Sequence, residues 1–121
     1  MPAINIKRVY EPAAGTDGYR VLVDRLWPRG LTKEKAAIDA WWKQLAPSSE
    51  LRKWYGHDPA KWKAFRHRYQ EELLMADATV FIRDEMSKHK TITLLYASRE
   101  SEINHAIVLR DFILSQSKRP R

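Results

Sequence analysis

The chain of 121 residues has no cysteine. That excludes disulfides, zinc–thiolate sites and thiol nucleophiles, and accords with a reducing compartment. Any catalysis must use oxygen or nitrogen groups. No apolar run approaches the roughly 20 residues of a membrane helix, and the start, Met1-Pro2-Ala3-Ile4-Asn5-Ile6-Lys7, lacks the apolar segment and cleavage site of a signal peptide. The expectation is a soluble, cytoplasmic protein with no membrane partner. Missing too are a glycine-rich phosphate loop, a Gly-x-Ser-x-Gly elbow and a His-x-x-x-His pair. Classical nucleotide hydrolysis, α/β-hydrolase chemistry and a metal site are therefore disfavoured, and no cofactor is called for.

Acidic residues are the minority, 15 against 22 Lys and Arg, for a net charge of +7. The averaged field attracts anionic ligands and polyanions, a bias that serves solubility equally well. With 44% apolar residues and no repeat or low-complexity stretch, the chain reads as one α/β domain over residues 1–117, followed by a frayed basic tail, 118–121.

Three apolar runs read as strands. Ile4 to Val9 alternates like a half-buried strand, Tyr19 to Leu26 holds the continuous Val21-Leu22-Val23 of a strand covered on both faces, and Thr91 to Ala97 is β-branched and aromatic. The last lies between helical patterns, which suggests a mainly parallel central sheet flanked by helices, in Rossmann-like layering. Asp58-Pro59 supplies a cap and a first-turn proline for a helix with Trp62, Phe65, Tyr69 and Leu73 inward. A second helix starts at Asp77 or Thr79 with Val80, Phe81 and Met86 inward, and a third follows Ser98 or Ser101 to about Ser115. Thr32 to Leu45 is ambiguous and best read as a short helix followed by a strand.

The segment Asp24-Arg25-Leu26-Trp27-Pro28-Arg29-Gly30 crowds two guanidiniums, a carboxylate and an indole at the end of a buried strand. Arginine offers a planar fork of donors for carboxylate or phosphate, and Pro28 and Gly30 set a turn to hold it. Ser98, Arg99, Asn104 and His105 follow the last strand. In parallel α/β sheets such strand ends share a rim with the amino ends of the following helices, where ligands bind. Arg25, Arg29, Trp27, Ser98, Asn104 and His105 are thus the candidate ligand contacts, with His57, His105 and Asp24 the candidate proton donors or acceptors.

Blander readings stand beside these. Asp24 and Arg25 can form an ion pair that pins the turn, Trp27 can pack at the rim, and His57 and His105 can be satisfied structural histidines. His67 and His89 read as solvated surface. Ser48, after Ala46-Pro47, reads as a helix cap before it reads as a nucleophile. The middle of the chain holds all five tryptophans, from Trp27 to Trp62, among Lys43, Arg52, Lys53, Lys61, Lys63, Arg66 and Arg68. That mixture can stack bases and track phosphates, or can be a core with a basic solvated face. An anionic small molecule and, alternatively, nucleic acid are the candidate partners.

Several motifs carry a resemblance across nearly the whole chain: Arg25-Leu26-Trp27-Pro28-Arg29-Gly30, Leu45-Ala46-Pro47-Ser48, Leu51-Arg52-Lys53-Trp54-Tyr55-Gly56-His57-Asp58-Pro59, the Phe65, Tyr69, Glu72-Leu73 spacing, and Leu94-Leu95-Tyr96-Ala97 followed by Asn104-His105-Ala106. In these the sequence resembles the YeaO-like family of small bacterial proteins, a domain family without an established reaction. The resemblance implies an α/β fold. In the wider superfamily that this family resembles, a Cys-His pair usually follows the last strand where this chain has Asn104-His105, so thiol chemistry does not carry over.

Overall fold

Alternating side chains of two central strands supply both faces of the hydrophobic interior. In the computed structural model, which describes residues 2–76, 78–100 and 103–117, β1 (Ala3–Arg8), β2 (Tyr19–Leu22), β3 (Ala40–Trp41) and β4 (Thr91–Tyr96) form one sheet of order β1-β4-β2-β3. Every pairing is parallel, with Ile4 opposite Ile92, Val21 opposite Leu94 and Leu22 opposite Trp41. Successive strand residues point to opposite faces. Accordingly Val21, Val23, Leu94 and Tyr96 enter the larger cluster, while Leu22 and Leu95 enter a smaller one with Val9 and Ala36.

The larger cluster is roofed by α2 (Ser49–Tyr55), α3 (Trp62–Met75), α4 (Ala78–Lys88) and α5 (His105–Ser117). On the opposite face lie α1 (Lys33–Ala36) and the turn around Trp27. The ambiguous segment is resolved as read, a short helix and then a strand, though the strand has only two residues and a 3-10 turn, Lys43–Leu45, follows it.

Local chemistry explains the boundaries. Ser48 caps α2 by accepting the Leu51 N–H, and its hydroxyl donates to Glu72 at 2.6 Å. Asp58 caps a 3-10 turn, Pro59–Lys61, that leads into α3. Phe65, Tyr69 and Leu73 are buried along α3, and the Tyr69 hydroxyl donates to the Leu45 carbonyl at 2.5 Å. Burial pushes that phenol far above its usual range. At the amino end of the sheet, buried Arg20 donates to Asp17 at 2.5 Å and to the carbonyls of Ala36 and Ala37. Gly18 beside it is required: at φ +65°, a Cβ there would lie 2.5 Å from the Thr91 carbonyl oxygen.

Several expectations need correction. β2 ends at Leu22, because beyond Val23 the chain turns away and leaves Leu26 62% exposed. Val80 faces solvent, and Ile82 with Ala78 takes the inward face of α4. His89 stacks on Tyr19 at 3.7 Å instead of standing free in solvent, whereas His67 is exposed and pairs with Glu71. Asp77, Ser101, Glu102 and the tail 118–121 lie outside the described residues. Among the described residues, no helix is long and apolar enough to cross a membrane.

Candidate functional site

The strand order fixes where a cleft opens. The connection leaving β2 goes to α1 on one face, the connection leaving β4 goes to α5 on the other, and β2 and β4 are neighbours. Where crossovers part to opposite faces, a crevice forms beyond the carboxyl ends of the strands. Here it is a cleft of about 370 Å³, and Asp24, Arg25, Trp27, Arg29, His57, Ser98, Asn104 and His105 all line it. Every candidate site residue read from the sequence therefore meets in one place.

Asp24 and His105 form its centre. The Asp24 Oδ1 lies 2.6 Å from His105 Nε2, and Oδ2 accepts the Ala97 N–H at 3.0 Å. The Asp24 carbonyl in turn accepts the Trp41 indole N–H at 2.6 Å. Oδ1 and Nε2 are shielded from water, and among the described residues neither has a hydrogen-bonding partner beyond the other. Asp24 thus ties the end of β2 to β3 through its backbone carbonyl, and to the end of β4 and the first residue of α5 through its carboxylate.

The proposed Asp24–Arg25 ion pair is not formed. Arg25 is half-buried and its Nε donates to the Pro47 carbonyl at 3.1 Å, holding the rim turn to the segment before α2. Arg29 is exposed, and its carbonyl accepts the Tyr10 hydroxyl at 2.9 Å. Trp27 packs edge-on against Trp41, with ring centroids 5.7 Å apart, and donates its indole N–H to Leu31. Its first task is packing, though one side still faces the cleft.

His57 is exposed and holds a positive φ of 58°, as the chain turns from α2 towards α3. Asn104 is buried: its side-chain carbonyl caps α5 by accepting the Ile107 N–H, while its amide donates to the Glu100 carbonyl at 2.7 Å. The helix thus begins at His105, later than the start expected after Ser98 or Ser101, and the Ile107 donor is already used. Ser98 has its carbonyl held by Arg8, and Arg99 is exposed and is not among the lining residues.

Sequence reasoning missed Tyr10, Arg52, Tyr55, Phe65 and Ile103 as cleft residues. Arg52 and Tyr55 are three apart on one helix, so both face the same way, a signal present in the spacing. Burial first, with Glu100 and Asp58 adding to it, raises the Tyr55 phenol and keeps it protonated, a hydrogen-bond donor at neutral pH.

These features define a parallel α/β domain with an arginine-lined cleft at the carboxyl rim of its sheet. The chain belongs to the family described as "Inactive DUF488-N3 subclade", whose sequence model matches residues 3–121. It is 43% identical over 112 residues to "Uncharacterized protein YeaO" of Escherichia coli K12, covering 93% of this chain and 97% of that protein. It is also 40% identical over 110 residues to "Uncharacterized protein Mb3100c" of Mycobacterium bovis and to "Uncharacterized protein Rv3073c" of Mycobacterium tuberculosis H37Rv, in each case across 91% of this chain and 92% of the relative. No solved structure matches the chain. The resemblance to YeaO-like proteins read from the motifs holds across nearly the whole sequence.

Proposed function

We propose that the protein binds a small ligand bearing a phosphate or carboxylate in the cleft at the carboxyl rim of its sheet. The charge of the walls carries this reading. Arg25, Arg29 and Arg52 line the cleft with His57 and His105, and the carboxylate among the lining residues, Asp24, lies against His105. Guanidinium forks match the geometry of both anions, and a cation-lined cleft concentrates them. The word "inactive" in the family description favours binding over turnover.

The alternative, a nucleic-acid surface on the aromatic basic middle, has less behind it. Arg68 and Lys61 lie 4.1 and 5.1 Å from the Trp54 ring, and Lys43 lies 4.3 Å from Trp41. The chain's own cations therefore occupy indole faces on which bases would stack.

Calorimetric titration with sulfate and phosphate tests the proposal. Arg29→Ala and Arg52→Ala remove exposed side chains, so each is expected to weaken binding about tenfold, the value of one charge-assisted contact, at an unchanged melting temperature. Anion affinity that ignores both substitutions sinks the reading. Salt-sensitive DNA binding lost on changing Arg68 and Lys61 supports the alternative.

A further inference from the structure

We infer that the anion taken by this cleft is joined to an apolar ring that packs on Leu26, as in an aryl phosphate or an aromatic carboxylate. This rests on the anion-binding reading and narrows it. The cleft, at about 370 Å³, falls in the range of roughly 300–1,000 Å³ that holds small organic ligands. A bare tetrahedral anion fills little of it, since even a water molecule takes only about 30 Å³.

The walls say what fills the rest. Tyr10 and Leu26 both line the cleft, and both are among the large apolar side chains left exposed, at 39% and 62%. Leu26 does not stand on a loose loop. Its neighbours are pinned on either side: Arg25 Nε to the Pro47 carbonyl, the Trp27 indole to Leu31, and the Tyr10 hydroxyl to the Arg29 carbonyl. An apolar side chain held out between two arginines has an apolar partner to gain from a ligand whose charge those arginines take. Tyr10, Trp27, Tyr55 and Phe65 contribute aromatic rings to the same cleft. Offset or edge contact with such rings favours a flat ligand body over an aliphatic chain.

Titration calorimetry with inorganic phosphate, methyl phosphate and phenyl phosphate, and with acetate and benzoate, tests this on the wild-type chain and on Leu26→Ser. In at least one series the ring-bearing ligand is expected to bind on the order of tenfold tighter than its ringless counterparts, through the apolar surface it covers. The series that shows the gap tells phosphate from carboxylate. In Leu26→Ser the gap shrinks to about twofold, while the affinity for the ringless anion stays as it was. If the ringless anions bind and the ring adds nothing, or if the full gap survives in Leu26→Ser, this inference is overturned and the anion reading stands. If no ligand of either series binds, both fall.

Discussion

Removing the His105 imidazole probes the centre of the site most directly. In His105→Ala the Asp24 Oδ1, shielded from water, loses the one polar partner it has among the described residues, at 2.6 Å, while Oδ2 keeps the Ala97 N–H. Stranding a buried acceptor costs about 1–3 kcal/mol, and more when it is charged. Two terms reduce this. The side chains of Asp24 and His105 retain 15% and 17% exposure, so water can partly reach the stranded oxygen after relaxation. Alanine is also the better helix former at the start of α5, by up to about 0.7 kcal/mol. A net loss of about 1–2 kcal/mol is expected, or about 4–8 °C in Tm for a domain of this size. Urea unfolding of the wild type, His105→Ala, Asp24→Asn and the double variant closes a thermodynamic cycle. The double variant should be less destabilised than the two singles together, because the neutral amide that replaces the Asp24 carboxylate leaves no stranded charge in that background. A His105→Ala protein as stable as the wild type, with strictly additive singles, would refute the reasoning.

Two further perturbations test the scaffold. Phe65→Ala should lose about 3–5 kcal/mol in chemical denaturation, because Phe65 is buried between Tyr55 and Tyr69 and leaves a large cavity, whereas half-buried Trp62→Ala should lose less; the reverse order would mean that the α3 stripe is turned. Asp17→Asn strips buried Arg20 of its carboxylate and should cost about 3–5 kcal/mol. Burial pushes the Asp17 carboxyl up, but hydrogen bonds from the Ala14 N–H, Lys7 and Arg20 outweigh it and hold the group below its ordinary 3.8. Its stabilisation is present above that value and lost as pH falls through the lower folded one, so urea midpoints of the wild type should fall on acidification below about pH 4 more steeply than those of Asp17→Asn.

The fold was legible where the burial pattern is local. Val21-Leu22-Val23 and Leu94-Leu95-Tyr96 are apolar without a break because each strand is covered on both faces, and the Trp62, Phe65, Tyr69 and Leu73 stripe follows the turn of one helix. Val80 misled because an apolar residue in a helix need not be inside: Ala78 and Ile82, one turn apart, already fill the inward face. The stacking of His89 on Tyr19 joins residues 70 positions apart, across strands whose adjacency no local pattern encodes.

That the candidate residues gather at one cleft was legible in the sequence, although Tyr10, Arg52, Tyr55, Phe65 and Ile103 were missed; their bonding was not, and the reason lies in chain geometry. Neighbouring residues leaving a strand project to different sides, so Asp24 and Arg25, although adjacent, serve different partners, His105 and Pro47. A sequence neighbour is the easiest partner to propose and a poor one sterically. What places His105 at Asp24 is the strand order: β4 inserts between β1 and β2, which brings the start of α5 to the end of β2. The same insertion divides the labour among the candidates. Asn104 is spent on capping α5, Arg25 and Trp27 on holding the turn, and Asp24 on joining three strand ends to α5. Arg29, Arg52 and His57 remain exposed at the cleft. If the cleft binds an anion as proposed, discrimination among ligands should therefore reside in these three and in Leu26, whose substitution leaves the scaffold bonds untouched, while substitutions at Asp24 or Asn104 should register first as lost stability.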